Sequence, residues 1–273
     1  MTRISIITPC LNAERYIEET VVSVINQKAI KSGRAELEYI ICDGQSTDRT
    51  LKIIESLKCN AMTLISEPDR SMYDALAKGL KYVTGDIISY VNAGDYFNLS
   101  AFEVVLDIFE TGKACWLTGC NVVYNERSQP VYFHLPYKYR SSFFACGYYG
   151  TKLPCVQQES TFWSGLLNKL IDLNYLSNLK YAGDFYIWLQ FSRSHDLKIV
   201  ESYLGGFRKS KGQLSENRVG YLSEVKLMTR SPRMHESMLV VFDYILWHAP
   251  VKVKKFFNKH GLYRFDHELQ EWV

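Results

Sequence analysis

The chain has 273 residues, of which 47% are hydrophobic, so it is long enough to bury the core of one large domain. Its 32 basic and 29 acidic residues leave a formal net charge of +3, which is too small to indicate a nucleic-acid partner. We expect no secretory signal and no membrane span, because the sequence has neither a signal-peptide cleavage site nor a long enough apolar run. The seven cysteines include no CxxC pair and are expected to be reduced. These features predict a cytoplasmic protein.

Strands and helices are predicted to alternate over the first 112 residues. Short apolar runs indicate buried strands, and longer amphipathic stretches indicate helices between them. The predicted strands are Ile4–Thr8, Leu37–Cys42, Met62–Ile65 and Asp86–Val91. The predicted helices are about Ala13–Gln27, Thr47–Leu57, Ser71–Val83 and Ser100–Glu110, the last two beginning with capping boxes. This alternation is typical of βαβ units and predicts an α/β fold with a mainly parallel sheet.

The regular alternation ends after residue 113. Turn-forming residues separate two predicted strands, Cys115–Tyr124 and Val131–Leu135, which are expected to form a hairpin. The remaining predicted elements are the helices Gly165–Leu173 and Asp184–Ser194, the strand Leu197–Val200 and a helical, basic tail from about Glu216. We therefore divide the chain into a domain of residues 1–215, with halves 1–112 and 113–215, and a C-terminal extension of residues 216–273.

Acidic residues follow three of the predicted strands. Asp43 follows the second strand, Glu67 and Asp69 the third, and Asp95 the fourth. Ligands of open α/β sheets bind beyond the carboxyl ends of the strands, so these carboxylates are expected to meet at one rim. Such a rim suits a divalent cation and a nucleoside diphosphate. The glycine-rich motifs of dinucleotide enzymes and P-loop NTPases are missing, which leaves neutralisation of the phosphates to a metal.

Several short segments follow one another in a specific order. They are Thr8–Asn12, Asp43–Asp48, Ser66–Ala75, Gly85–Asp95, Ala182–Leu189 and Phe207–Ser215. Their number and order resemble glycosyltransferase family 2 over roughly residues 3–216. The resemblance implies a GT-A fold, in which helices flank a Rossmann-like sheet. It also implies an inverting, metal-dependent enzyme that transfers a sugar from a nucleotide-diphosphate sugar to an acceptor hydroxyl, in surface polysaccharide or glycolipid synthesis.

The resemblance implies roles for individual residues as well. Binding of the nucleotide-sugar falls to Thr8, Pro9, Asn12, Asp43, Asp69, Lys78, Asn92, Ala93, Gly94 and Asp95. Among these, Asp43 would face the base, Asp69 would lie near the ribose or sugar, and Asp95 would bind Mg²⁺ or Mn²⁺. Asp184 would be the catalytic base. The implied partners are a UDP-sugar donor and a glycan or lipid-linked acceptor.

Three further residues are candidates for contacts with the acceptor, namely Glu159, Trp163 and Arg208. A cap or loop role is the alternative for Glu159, and core packing is the alternative for Trp163.

Departures from the family pattern leave a second function open. Asn92 stands where the metal-binding motif has its first aspartate, and Ser210 where a histidine is common. The alternative is therefore a catalytically weak or inactive GT-A protein that binds a nucleotide-sugar. A nucleotidyltransferase is disfavoured, because the loop after the first strand is not a glycine-rich, basic loop. The lack of a QxxRW motif and of membrane spans disfavours a processive synthase.

The tail combines apolar and basic residues. Residues 203–273 contain 12 Lys or Arg and 7 Asp or Glu. The apolar stretch Met238–Trp247 precedes four lysines, at positions 252, 254, 255 and 259, that are interleaved with phenylalanines. This pattern predicts a helix lying on the anionic cytoplasmic face of a membrane. The alternative is a helix packed on the domain with a solvated basic face.

Overall fold

A computed structural model describes residues 1–273. The strands are β1 (Thr2–Cys10), β2 (Ala35–Asp43), β3 (Met62–Ser66), β4 (Ile87–Tyr90), β5 (Tyr96–Phe97), β6 (Trp116–Thr118), β7 (Asn121–Tyr124), β8 (Pro130–His134), β9 (Thr161–Ser164), β10 (Lys198–Val200), β11 (Gly205–Arg208), β12 (Leu262–Tyr263), β13 (Phe265–Asp266) and β14 (Glu271–Trp272). The α-helices are α1 (Ile17–Ile25), α2 (Lys28–Lys31), α3 (Thr50–Ser56), α4 (Met72–Leu80), α5 (Ala101–Phe109), α6 (Ser141–Ala145), α7 (Gly165–Asn168), α8 (Leu173–Ser177), α9 (Gly183–Ser192), α10 (Arg218–Met228), α11 (Met234–His248) and α12 (Val251–Phe257).

Eight strands form the main sheet, in the order β12-β10-β6-β9-β4-β1-β2-β3. All neighbours are parallel except β9, which runs antiparallel to both β4 and β6. The predicted α/β fold with a mainly parallel sheet is therefore confirmed. β1 and β2 pair in register from Thr2 opposite Ala35 to Cys10 opposite Asp43, so the loops that follow these strands begin side by side.

The central strands are buried on both faces, as expected for parallel strands covered by helices. Successive residues of β1 show this, because Ile6 belongs to one hydrophobic core and Ile7 to the other. Helices α1, α3 and α5 pack on the side of Ile6, whereas α4 and α9 pack on the side of Ile7. The sheet is thus the middle layer of three, and its carboxyl edge is left for the loops.

A second sheet has four strands in the order β5-β11-β7-β8. β7 and β8 form the predicted antiparallel hairpin. The single strand predicted over Cys115–Tyr124 is wrong, because the chain leaves the main sheet between β6 and β7. There the amides of Gly119 and Cys120 donate to the carbonyls of Ser160 and Ser202, at 3.0 and 2.8 Å.

Helix starts agree with the sequence only in part. Ser71 caps α4, since its hydroxyl accepts a hydrogen bond from Asp74 N at 3.2 Å. The capping box predicted at Ser100 is wrong: its side chain caps nothing, and Asn98 Oδ1 instead accepts from Ser100 N at 2.9 Å. The helix predicted over Gly165–Leu173 is wrong after Asn168, where α7 ends; a separate helix, α8, begins at Leu173 and is capped by Asp172.

The tail is integrated with the domain and is helical only in part. Helices α10 to α12 agree with the predicted helical tail, but the prediction is wrong after residue 257. There β12 extends the main sheet beside β10, and β13 pairs with β14. Trp247 of α11 is 1% exposed and joins the larger hydrophobic core. None of the helices has both the length and the apolar character needed to cross a bilayer.

Candidate active site

Four loops meet at the carboxyl edge of the main sheet, after the neighbouring strands β4, β1, β2 and β3. Backbone hydrogen bonds connect them. Gly44 N donates to Cys10 O at 2.9 Å, and Glu67 N donates to Asp43 O at 3.0 Å. The predicted convergence of the acidic loops at one rim is therefore what the structure shows.

Two carboxylates are fixed side by side on this rim. Asp43 is 2% exposed, and its carboxylate accepts hydrogen bonds from Ser66 Oγ at 2.7 Å and from Ser46 N at 3.1 Å. Asp69 approaches the backbone of Gly44 so closely that a Cβ at residue 44 would lie 2.3 Å from its Oδ2. Only glycine at residue 44 permits this approach. Asp43 thus offers a fixed acceptor, with Asp69 beside it, for the donor groups of a base or ribose.

A small pocket lies beside these carboxylates. Its lining residues are Cys42, Asp43, Ile65, Glu67, Asp69, Ala75 and Lys78. Lys78 of α4 is the cation among them, with Nζ 3.2 Å from Glu67 Oε1 and donating to Pro68 O at 2.5 Å. Burial raises the pKa of Asp69, and the ammonium of Lys78 opposes that rise. The pocket thus combines acceptors with one positive charge.

Asn12 connects the loop after β1 to the loop after β2. Its backbone is left-handed, with φ of 47°, and the residue is exposed. Asn12 Oδ1 accepts from Thr47 N at 2.9 Å, while Asn12 N donates to Ser46 Oγ at 2.8 Å. Asn12 therefore shapes the rim next to Asp43, where the sequence places it.

Thr8 and Pro9 lie within β1. Thr8 is 0% exposed, and its hydroxyl is 3.0 Å from the hydroxyl of Tyr39 in the core. Pro9 is buried, and its carbonyl accepts from Ala93 N at 3.5 Å. The side chain of Thr8 therefore faces the core, and the assignment of Thr8 to nucleotide-sugar binding stays a prediction.

The loop after β4 carries a buried pair of carboxyl groups. Asp95 and Glu159 are each 4% exposed and face one another, and Asp95 Oδ1 accepts from Arg208 N at 2.7 Å. Burial is the main cause that raises the pKa of Asp95 to about 7. Burial and then the charge of Asp95 raise the pKa of Glu159 well above its usual range. The pair therefore retains a proton near neutral pH when no cation is close.

Two buried oxygens at this centre, Asn92 Oδ1 and Glu159 Oε2, have no hydrogen-bond partner. Such atoms are uncommon, because an unsatisfied buried acceptor costs free energy. Together with the Asp95 carboxylate they fit a hard divalent cation, which prefers oxygen ligands. No three His, Cys, Asp or Glu side chains gather into a complete metal site. A cation here would therefore take further oxygens from its substrate.

Arg208 stabilises the loop after β4 from its buried side. It is 1% exposed, and its Nε donates to Gly94 O at 2.8 Å. Its Nη2 lies 2.5 Å from Glu19 Oε2, and the guanidinium packs over the ring of Tyr16 at 4.4 Å. The predicted contact of Arg208 with the acceptor is wrong, because every side of the guanidinium is occupied by the protein. Its function is to position the Gly94–Asp95 turn.

Trp163 is a core residue. It is 0% exposed and packs edge-on against Trp188 and Tyr90, at ring-centroid distances of 5.8 and 6.4 Å. The predicted acceptor contact of Trp163 is wrong, since β9 is inserted antiparallel in the main sheet and both of its faces are covered. The alternative of core packing is confirmed. Glu159, just before β9, is the one acceptor candidate of the three that faces the rim centre.

Asp184 lies in the first turn of α9 and is partly exposed. Its Oδ1 accepts from Tyr73 Oη at 3.2 Å and from Phe185 N at 2.7 Å. Loss of solvent around the carboxylate raises its pKa to about 6, against the effect of these hydrogen bonds. Asp184 is also close enough to Glu159 to raise the pKa of that residue. Asp184 thus lies near Glu159, the residue that faces Asp95.

A residue of the tail positions the turn before Asp184. The carboxylate of Glu224, on α10, accepts from the backbone N–H groups of Lys180, Tyr181 and Ala182 at 2.8 to 3.0 Å. Glu224 therefore satisfies the amides of the turn that leads into α9, up to the N-cap residue Ala182. The sequence offers no signal for this contact, because 40 or more residues separate the partners.

Known proteins resemble this chain in sequence, and the model of one enzyme family matches it. The model of the family described as glycosyl transferase family 2 matches residues 5–171. The chain belongs to this family. As a family 2 glycosyltransferase it is 24% identical, over 223 residues, to the Escherichia coli UDP-Glc:alpha-D-GlcNAc-diphosphoundecaprenol beta-1,3-glucosyltransferase WfgD, with 79% of each chain covered. It is 32% identical to chondroitin synthase of Pasteurella multocida over 124 residues. This aligned segment is 44% of this chain but only 12% of that enzyme.

Solved structures show the same GT-A fold. The Staphylococcus aureus protein TarS 1-349, in complex with UDP-GlcNAc, superposes with a TM-score of 0.63 at 16% identity, covering 90% of this chain and 72% of TarS. The mannosyltransferase PcManGT from Pyrobaculum calidifontis, in complex with GDP-Man and Mn²⁺, gives a TM-score of 0.57 at 16% identity, covering 90% of this chain and 70% of that one. At such identities the likeness establishes the fold and not the substrate.

Proposed function

We propose that this glycosyltransferase transfers a sugar from a UDP-sugar to an acceptor hydroxyl with inversion, and that Asp184 is the base. The observation that carries the proposal is a partly exposed carboxylate in the first turn of α9, with a pKa of about 6, near the Glu159 that faces Asp95. A carboxylate of this pKa is ionised at neutral pH and can accept a proton. The hydroxyl oxygen would bond to the anomeric carbon as the bond to the diphosphate breaks, and Asp184 would take the hydroxyl proton.

The donor would bind on the rim of residues 1–112. Asp43 and Asp69 would accept hydrogen bonds from the nucleoside, Asn12 would shape that wall, and Lys78 would attract the diphosphate. Two comparisons support a UDP-sugar: the name of the Escherichia coli relative includes UDP-Glc, and TarS was solved with UDP-GlcNAc.

A divalent cation, Mg²⁺ or Mn²⁺, would be held by Asp95 with the amide oxygen of Asn92. The unpartnered Asn92 Oδ1 supports this assignment. When bound, the ion would offset the charge of the leaving diphosphate. The backbone of Arg208 orients Asp95 toward this role.

The acceptor would bind to residues 113–215, the half that carries Asp184. The name of the Escherichia coli relative specifies a sugar on a diphosphoundecaprenol lipid. We propose a glycan or lipid-linked acceptor for this chain too, used at the cytoplasmic face of a membrane. Residues 216–273 would then act as an extension that also stabilises the catalytic half.

The direct test is product analysis. The enzyme is incubated with UDP-glucose or UDP-N-acetylglucosamine, Mg²⁺ or Mn²⁺, and a lipid-diphosphate-linked sugar, and the anomeric configuration of the product is read by NMR. We expect inversion. Asp184→Asn should retain donor affinity and lose turnover by about 10²–10⁴-fold, the usual contribution of a general base. The exposed Asp196 provides a matched control, since Asp196→Asn should leave turnover unchanged.

Two results would contradict the proposal. A product that keeps the donor's configuration would exclude single displacement with Asp184 as base. Saturable binding of UDP-sugars without any turnover, over a range of acceptors, would favour the alternative of an inactive nucleotide-sugar-binding protein.

A further inference from the structure

The outward side of α11 carries six exposed apolar side chains, Met234, Met238, Val241, Phe242, Tyr244 and Ile245. The polar residues His235, Ser237 and His248 are exposed on this helix as well. The acidic residues of this helix lie on the opposite face, where Glu236 pairs with Arg230 and Asp243 with Arg140, each at 2.6 Å. A surface helix normally turns its charges outward and its apolar stripe inward. In α11 both acidic residues instead face inward beside Val240, Leu246 and Trp247, and large apolar side chains face outward as well.

The apolar face continues onto α12. The ring of Phe242 contacts the ring of Phe257 with centroids 6.2 Å apart, and Phe257 contacts Phe256 at 5.2 Å. Phe256 and Phe257 are 64% and 49% exposed. The outward residues of α11 and these two phenylalanines therefore form one surface, which we name the tail patch. Exposed apolar surfaces of this extent mark interaction sites in soluble proteins.

A cluster of cations adjoins the tail patch. Lys252, Lys255, Lys259 and Arg264, together with Phe256, line an open depression of about 480 Å³. Lys255 pairs with Glu201 at 2.6 Å, but the other three cations have no carboxylate partner. The ammonium of Lys259 lies 5.1 Å from the ring centre of Phe256, so charge and apolar surface are in direct contact.

We propose that the tail patch and its cations dock on the surface of an anionic phospholipid bilayer. Side chains such as Met238 and Ile245 would enter the boundary between headgroups and acyl chains, as the apolar face of an interfacial helix does. The unpaired cations would meet lipid phosphates at the depression. Charge complementarity selects this occupant, because an uncharged protein groove would not explain unpaired cations beside the apolar face. The inference concerns location and does not depend on glycosyl transfer.

Vesicle flotation tests the proposal. Full-length protein is mixed with vesicles of phosphatidylcholine alone, or of phosphatidylcholine with phosphatidylglycerol, at low and high salt. We expect flotation with the anionic vesicles, weakened by salt. Lys252→Gln and Lys259→Gln should each weaken partitioning about fivefold. Ile245→Ser should weaken it about tenfold. Matched controls are the exposed Lys152→Gln and Leu166→Ser, which should float like the wild type.

The outcomes are separable. Wild type that does not float with anionic vesicles, or patch variants that float as well as the controls, would overturn the proposal. A dimer that Ile245→Ser dissociates, seen by light scattering without lipid, would also overturn it and assign the face to a second copy of the chain. Donor-induced thermal shifts, measured on the same variants, should remain at the wild-type level and show that each is folded.

Discussion

The protonation of Asp184 depends on opposing local effects. Loss of solvent raises its pKa to about 6, whereas hydrogen bonds from Tyr73 Oη and Phe185 N lower it. A base must be ionised to act, so activity should fall as the pH decreases through about 6. Because Asp184 is in the first turn of α9, the helix dipole also favours its charged form.

Removal of the Tyr73 hydroxyl should shift this pH dependence. The hydrogen bond to Asp184 favours the carboxylate, so Tyr73→Phe should raise the pKa of Asp184, by about one unit for a typical bond to a charged group. The acidic limb of kcat should therefore move to higher pH, while activity at alkaline pH changes little. The control is Tyr82→Phe, since Tyr82 is 59% exposed. An unchanged acidic limb in Tyr73→Phe would mean that another group is the base.

Glu159 should destabilise the metal-free protein. Its buried carboxyl faces Asp95, and its Oε2 has no partner. Glu159→Gln removes one potential charge and supplies an amide that can donate to Asp95. We expect the free energy of unfolding in EDTA at neutral pH to increase by about 1–2 kcal/mol. Thermal denaturation measures this, with the exposed Glu216→Gln as the control. A lower melting temperature for Glu159→Gln would contradict the assignment.

The sequence identifies the rim residues that lie at a strand end or in the loop after it. Asp43 ends β2, and Asp69 and Asp95 lie in the loops after β3 and β4, at the carboxyl edge where ligands of open α/β sheets bind. The sequence does not identify residues whose position depends on distant pairing. Trp163 and Arg208 are residue types that often bind sugars, yet both lie inside the protein. Trp163 is on the inserted strand β9, and the buried guanidinium of Arg208 is held by Gly94 O and Glu19.

At the scale of elements, α10 stabilises the start of α9. Its Glu224 accepts hydrogen bonds from successive backbone amides ahead of Asp184, and its charge raises the pKa of Asp184. The helix that carries the base is thus fixed by a helix from the C-terminal extension. Sequence periodicity predicts both helices but not their contact, because nothing local encodes which helix ends meet.

Glu224→Ala should lower kcat with little change in donor affinity. Three amides would lose their acceptor and the base would move, and a displacement of about 1 Å can reduce the rate about 10²-fold. Loss of the negative charge should also lower the pKa of Asp184 and shift the acidic limb to lower pH, which a purely structural defect would not do. Glu224→Gln should restore part of the rate. Lys226→Ala, exposed on the same helix, is the control.

Predicted element boundaries are wrong where the chain passes from one sheet to the other. The run Cys115–Tyr124 has the composition of one strand, but β6 and β7 belong to different sheets. Composition reports burial and β-propensity along the chain. It does not show that two segments of one run pair with different strands. β6 pairs with β9 and β7 with β11, and both partners lie far along the sequence.

At the scale of the whole molecule, the tail closes the larger core. Trp247 and Leu262 are members of that core, and β12 provides an edge strand of the main sheet. Lys254 is 3% exposed and donates to Leu135 O at 2.8 Å, so one lysine of the basic segment is directed inward. The predicted basic helix therefore has one face packed on the domain and another face exposed. A sequence pattern of interleaved lysines and phenylalanines does not show which of these residues lie on which face.

This arrangement predicts that the tail is required for folding. Deletion of residues 251–273 removes Leu262, which is 6% exposed, and the only neighbour of β10 on its outer side. We expect the truncated protein to lose several kcal/mol of stability. Leu262→Ala isolates the packing contribution and should cost about 2–5 kcal/mol, as for other buried leucines. Leu269→Ala is the matched control, because Leu269 is 62% exposed and its loss should change stability by less than about 0.5 kcal/mol. Chemical denaturation of the two variants measures the difference. Equal stability of Leu262→Ala and Leu269→Ala would show that the tail is an appendage, and that its removal affects membrane docking alone.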